Sequence, residues 1–391
     1  MNRSDPPRES GPPPLVGKRV LDLSPLFPGP YCSRILADLG AEVIKIEQPG
    51  RGDWARFVPP LQDGESLLFR LLNQGKKSLT LNLKDAEAHA IFLSLIKTAD
   101  VLIETFRPGV MERLGLGAEV LAEANPRLVQ CSLTGYGTQG SHRDRAGHDL
   151  NFVGLSGMLD VARRPGGKPC FPGTQIADIT GGLWAAIGIL AALMQTQDAE
   201  RGLRVESSLL GTTLASMPFA LANQMGGQPR GIERDLLTGG AVCYQLYACK
   251  DGGWISMAAL EPEFWSAFCD AVGRRDLLDA QFAPAAAGEG AYDEFCALFQ
   301  QRTRAEWMEI MEEVDCCCEP VYSLGEALES APVQALDLKP DRGMMPPIRL
   351  NADPPAAQGA APKLGEHTDV ILASLGVEAQ QIEALRQRQA I

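Results

Sequence analysis

Arg19-Val-Leu-Asp-Leu-Ser24, Pro25-Leu-Phe-Pro-Gly-Pro30 and Glu42-Val-Ile-Lys-Ile-Glu47 decide the fold. The first is a short apolar run rich in strand formers, closed by the turn-forming second. Between them and the third, Tyr31 to Leu39 carries apolar residues at 31, 35, 36 and 39, the spacing of a helix. Pro30 suits the first turn of that helix and Gly40 its end. Glu42 to Glu47 reads as a second strand, which makes the segment a βαβ unit with a parallel pair.

The unit recurs down the chain. Residues 78–83, 101–106 and 128–133 read as strands, and residues 86–97 and 119–123 as helices. Such alternation predicts an α/β fold: a Rossmann-like large domain with a mostly parallel sheet. Ligands in such sheets bind at the carboxyl ends of strands, here residues 24–30, 106–109 and 134–137. No G-x-G-x-x-G follows the first strand and no G-x-x-x-x-G-K-[ST] occurs, so neither phosphate loop is expected. Basic residues gather near these ends: Arg34, Lys45, Arg51, Arg56, Arg70, Lys76, Lys77, Arg107 and Arg113. They read either as ordinary solvated surface or as a phosphate-binding rim.

At 391 residues the chain is long enough for two domains. Its 45% hydrophobic and 22% charged residues are those of a soluble globular protein. A net charge of −13 argues against nucleic acid or an anionic membrane surface as main partner. Met1 to Pro14 is polar and Pro-rich, without the apolar core of a signal peptide, and reads as a disordered leader. A cytoplasmic protein with reduced thiols is therefore expected. The ten cysteines include no C-x-x-C pair and no accompanying His spacing, so no metal site is expected. The run Cys316-Cys317-Cys318 reads as a partly buried stretch of small residues.

The large domain is expected to span residues 15–221. Residues 244–259 read as a hairpin turning at Asp251-Gly-Gly253, and helices follow over 261–272 and 304–314. These belong to a smaller α+β domain over 222–335. Residues 339–363, rich in Pro, Ala and Gly, read as an extended connector. It lies within a segment, 336–391, expected to return to the large domain and to end in a short helix.

The candidate site lies between Gly147-His-Asp-Leu-Asn-Phe152 and Gln175-Ile-Ala-Asp-Ile-Thr-Gly-Gly182. Asp178 is the last ionisable residue before Ile179 to Met194, whose one polar residue is Thr180. That run is too short and too interrupted by glycine for a membrane span, and reads as a helix buried on nearly all sides. Asp178 then stands at or near its N-cap. The plain reading is a cap, which Asp favours. Burial would raise its pKa and neighbouring N–H groups would lower it. His148 is one of four histidines, a scarcity that selects none of them.

Several stretches together resemble the superfamily of family III CoA-transferases and α-methylacyl-CoA racemases, over about residues 15 to 377. They are Pro28-Gly-Pro30, Leu36-Ala-Asp-Leu-Gly-Ala-Glu-Val43, Asn73-Gln-Gly-Lys-Lys-Ser78, the segment from Arg107 to Gly117, Leu133-Thr-Gly-Tyr-Gly137 and Leu364-Gly-Glu-His-Thr368. The resemblance implies an interlocked homodimer and an acyl-CoA substrate, with coenzyme A carried by the substrate and no separate cofactor. It also implies catalytic roles for His148, Asp178 and Glu261. In the racemase branch the residues matching His148 and Asp178 are paired acid/base groups, and Glu261 would hold or tune Asp178. In the transferase branch the Asp attacks the thioester and forms an aspartyl anhydride, the His is typically absent, and a glycine-rich loop replaces the segment around Glu261. This sequence keeps the His and lacks that loop, so the racemase branch fits better. Lys45, Arg107, Arg113, Asp149 and Phe152 match positions that hold CoA. The enolate oxygen of a racemase needs donors, expected from the N–H groups of Thr180 and Gly181. A CoA-transferase is the alternative, and a non-catalytic acyl-CoA-binding protein a further one.

Overall fold

The computed structural model describes residues 11–164, 166–196, 200–228, 231–336, 346–350 and 359–391. The chain divides into two compact units. The larger comprises residues 1–156, 174–216 and 338–391, the smaller residues 157–173 and 217–337. Residues 1–10 of the expected leader and most of the expected connector, 339–345 and 351–358, lie outside the described residues.

The larger unit is built on six strands: β1 Arg19–Asp22, β2 Glu42–Glu47, β3 Lys77–Thr80, β4 Val101–Glu104, β5 Val129–Thr134 and β6 Arg204–Ser208. Their order is β3-β2-β1-β4-β5-β6, and every pairing is parallel. The chain steps from β1 outward to β3, then crosses back to place β4 on the other side of β1. The carboxyl ends of β1 and β4 therefore flank the point where strand order reverses, where α/β sheets bind ligands. The sixth strand escaped the sequence reading. Arg204-Val-Glu-Ser-Ser208 alternates exposed polar side chains with half-buried ones and lacks the apolar run that marks an inner parallel strand.

Helices α1 Pro28–Asp38, α2 Leu67–Asn73, α3 Ala86–Ile96, α4 Val110–Arg113, α5 Ala118–Ala124, α6 Asp149–Leu155, α7 Ile176–Thr196 and α8 Leu209–Ala215 pack around this sheet. Below one face, Phe92, Leu95 and Ile96 of α3 bury against Leu21, Ile44, Leu79 and Leu102. Ile371, Leu372, Ile382 and Leu385 from residues 368–387 complete the same core. Full burial of each such side chain stabilises by about 1.5–3 kcal/mol before chain entropy is subtracted.

The other face is held by α7. At 21 residues it is long and apolar enough to cross a membrane by length and composition, which corrects the expectation that it is too short. Its glycines fit it into the core instead. A Cβ on Gly182 would stand 2.7 Å from the Pro28 carbonyl oxygen, and one on Gly188 2.6 Å from Val205 Cγ1. Only glycine lets α7 lie this close to α1 and β6. The helix is not buried on nearly all sides, however. Leu183, Trp184, Ile187 and Met194 are 40%, 48%, 53% and 73% exposed along one edge.

The smaller unit holds an antiparallel sheet of β7 Tyr244–Ala248, β8 Trp254–Ala258 and β9 Cys318–Val321, with β8 in the middle. Helices α9 Pro262–Ala271, α10 Gly290–Phe299 and α11 Arg304–Met311 cover it. Its core is aromatic. Tyr247 stacks on Phe299 at 4.7 Å, and Trp265 on Phe295 at 5.1 Å. Cys316 and Cys318 are buried beside it, while Cys317 between them adopts a positive φ of 52°.

Candidate active site

The carboxyl ends of the strands open into two adjoining clefts within the larger unit. One, of 460 Å³, is lined by Pro25 to Pro28 after β1, Thr105 to Pro108 after β4, Thr134 to Tyr136 after β5, and His148, Phe152 and Asp178. The other, of 480 Å³, is lined by Lys45, Arg51, Trp54 and Lys84 among others. Pro25 and Phe106 line both.

The region around His148 is assembled on glycines. A Cβ on Gly135 would lie 2.6 Å from the Phe152 ring, and one on Gly147 2.8 Å from the Tyr136 hydroxyl and 2.9 Å from the same ring. Phe152 is 2% exposed and meets Tyr136 edge-on at 5.0 Å. The two glycines thus let the ring tie the end of β5 to the start of α6. His148 is the exposed N-cap residue of α6, and its own N–H donates to Asn151 Oδ1 at 3.0 Å. The imidazole stands at the cleft with its backbone pinned.

Asp178 is half-buried in the first turn of α7, two residues after its start, and so is not the cap. That task falls to Asp149, whose Oδ1 accepts from the N–H groups of Ala177 at 2.7 Å and Asp178 at 3.1 Å. Burial, and then the like charge of Asp149, push the Asp178 carboxyl up from 3.8 to about 7. The opposition between burial and N–H groups is settled by Asp149, which takes the N–H groups and adds repulsion.

The expected oxyanion donors are corrected by the same geometry. Ile179 N–H already donates to Gln175 O at 3.0 Å. Thr180 and Gly181 lie one turn into α7, where each N–H is spent on the carbonyl four residues back. Among the described residues, the N–H groups of Asp149 and Leu150, at the start of α6, have no acceptor.

The basic residues divide sharply. Arg34 pairs with Asp38 at 2.8 Å, Arg56 with Glu47 at 2.7 Å, Lys76 with Asp22 at 3.4 Å, and Lys77 with Glu42. Lys45 is 1% exposed, 2.8 Å from Asp53 Oδ2, and donates to the Ser24 carbonyl at 2.7 Å. Burial alone would raise Asp22, but Lys45 and Lys76 outweigh it and hold the carboxyl low. The expected phosphate rim is therefore smaller than the sequence suggested, because most of its members neutralise acids within the fold. Arg107 lines the first cleft, and Arg51 lies 4.1 Å over the Trp54 ring in the other. Arg113 is exposed at the end of α4, its guanidinium turned toward Gly109.

Arg143 and Arg145 also line the first cleft, and sequence reasoning missed them. Their signal was the run Ser141-His-Arg-Asp-Arg145, directly ahead of Gly147. Glu261 belongs to the smaller unit. It is the exposed N-cap residue of α9, with the Cys317 thiol within reach of its charge. Among the described residues no group of three or more His, Cys, Asp or Glu could hold a metal ion.

Comparison with known proteins agrees with this architecture. Residues 15–368 match the family model described as CoA-transferase family III. The chain is 34% identical to mouse α-methylacyl-CoA racemase, covering 94% of this chain and 95% of that protein. It is 31% identical to the β subunit of succinyl-CoA–L-malate CoA-transferase from Chloroflexus aurantiacus, covering 97% and 98%. A crystal structure of a CAIB/BAIF family protein from Brucella suis superposes with a TM-score of 0.81 at 27% identity, over 93% of this chain and 99% of that one.

Proposed function

The chain belongs to CoA-transferase family III, a family of racemases and CoA-transferases, and from that premise we propose that it is an acyl-CoA racemase. Its substrates are 2-methyl-branched acyl-CoA thioesters. The observation that carries this reading is the presence of His148 and Asp178 in one cleft, with the Asp178 carboxyl raised to about 7. Inverting a carbon next to a thioester requires one group to take a proton from one face and another to return a proton to the opposite face. Near neutral pH a carboxyl of this kind is present in both protonation states, so it can act in either direction.

In the forward step His148 or Asp178 removes the α-proton and leaves an enolate. The other then protonates the opposite face. Arg107, Arg143 and Arg145 supply positive charge around the developing anion, and the free N–H groups of Asp149 and Leu150 are its nearest backbone donors. The adjoining cleft offers the Trp54 ring with Arg51, and Lys84, to the nucleotide end of CoA. Arg113 belongs to that binding role, while Lys45 braces the wall of the cleft through Asp53 and the Ser24 carbonyl. The apolar edge of α7 supports a homodimer. Nothing in the chemistry requires a metal or a second cofactor, and the protein is expected in the cytoplasm.

The second reading is a CoA-transferase in which Asp178 is the nucleophile. It is favoured by the transferase relatives, whose identity to this chain is close to that of the racemases. One incubation separates the two. The protein is mixed with one stereoisomer of a 2-methylacyl-CoA in D₂O together with an unrelated carboxylic acid, and the products are followed by mass spectrometry. Deuterium at the α-carbon without a new acyl-CoA is the expected result. A new acyl-CoA without α-deuterium would overturn the racemase reading and leave Asp178 as a lone nucleophile.

A further inference from the structure

We infer that the Asp149 carboxylate is a positioning residue that acts through Asp178, fixing the first turn of α7 and setting the charge state of the carboxyl there, rather than a contact for CoA. The inference deepens the reading above and rests on Asp178 being its acid/base group. Its basis is a single oxygen. Asp149 Oδ1 accepts both the Ala177 and the Asp178 N–H groups, at 2.7 and 3.1 Å. An oxygen holding two N–H groups of a helix start is already committed. It cannot also turn toward a phosphate, which its own negative charge would in any case repel.

The arrangement does two things to Asp178. It fixes the backbone from which the side chain projects, because the residue's own N–H is one of the two held. It also places a second negative charge beside the carboxyl, and this is the like charge that adds to burial in raising it. Other elements around Asp178 contribute little charge. Helix α8 presents Thr212 and Thr213, α1 brings Tyr31 beside Gly182, and α6 brings His148 with Asp149. Arg107, Arg143 and Arg145 stand on the cleft wall. Asp149 is the charged neighbour that acts on Asp178.

Asp149→Asn separates the two effects, because the amide oxygen still accepts the two N–H groups while the charge is gone. Asp149→Ser does the same with a hydroxyl and serves if the amide variant fails to fold. Asp149→Ala removes both. The first readout needs no turnover: coupling of Asp178 to a water-soluble carbodiimide, which consumes the protonated carboxyl, is measured against pH by peptide mass spectrometry in the full-length protein. The midpoint is expected to fall by about 1 pH unit in Asp149→Asn. The second readout is α-deuterium exchange. Its pH profile should shift by the same amount, with kcat lowered more than KM is raised, and Asp149→Ala should lose about a further tenfold in kcat.

An unchanged labelling midpoint in Asp149→Asn would overturn the inference. So would a rise in KM alone, which would make Asp149 a CoA contact. A wild-type protein that exchanges no deuterium while the midpoint still shifts would sink the racemase reading and leave this one standing.

Discussion

At the scale of single residues, the protonation of Asp178 makes a statement about stability as well as chemistry. The folded chain holds that proton more tightly than the unfolded chain, where Asp titrates near 3.8. Between that value and about 7 the folded state carries more protons, so stability falls as pH rises through the window. Asp178→Asn removes the strained charge. Above pH 7 the variant should unfold at higher urea than the parent, by roughly 2–4 kcal/mol, while below pH 4 the difference should close. The same variant should lose about 10²- to 10⁴-fold in α-proton exchange. A variant that is both less active and more stable would mark Asp178 as a residue kept for function at a cost to the fold. The sequence showed where this carboxylate stands in the chain but not which way it titrates. That direction is set by burial and then by Asp149, which follows His148 directly in sequence yet meets α7 only through tertiary packing.

Among the elements, the pattern of apolar spacing located strands and helices well wherever a segment was buried on a regular face. β2 begins and ends where its sequence predicts, and α3 differs by one residue at its end. Edge strand β6 was missed because half of its side chains are solvated, and the exposed edge of α7 was missed because composition alone cannot show which neighbours a helix lacks. The rim of basic residues was over-read for a similar reason. A lysine near a strand end looks alike in sequence whether it meets a phosphate or, like Lys76, a buried aspartate. The glycines of α7 give a direct test at this scale. Gly182→Val places new atoms against the Pro28 carbonyl and should destabilise by about 1–3 kcal/mol or more in urea unfolding. Gly290→Ala, at the open start of α10 with nothing within 4 Å, should stay within about 0.5 kcal/mol of the parent. Equal effects would show that the α7–α1 approach is looser than the geometry implies.

At the scale of the whole molecule, the row Leu183, Trp184, Ile187 and Met194 is the kind of apolar surface that marks an interaction site. The homodimer proposed above predicts a mass about twice 42.0 kDa in light scattering. Replacing both Trp184 and Ile187 by Asp should return the monomer mass with the helical content intact; a monomeric parent would remove the proposal. The α/β class and the parallel sheet were legible in the sequence because each βαβ unit is local. The return of the C-terminal segment to the large domain was expected, but not the groups it meets there. Asn82 N–H donates to the Ala390 carbonyl at 2.8 Å, Thr80 N–H to Thr368 Oγ1 at 3.1 Å, and Gly365 N–H to Ser78 Oγ at 2.9 Å.

Those bonds bear on how the protein is made. β3 is an edge of the sheet, and the residues that cover it are translated some 290 positions after it. While the ribosome is still extending the chain, β3 and the apolar side of α3 wait without their cover. Domains ordinarily fold as they emerge, but the cover of this edge can form only once residues 365–391 have left the exit tunnel. For most of its synthesis the nascent polypeptide presents an uncapped sheet edge, the surface that chaperones bind.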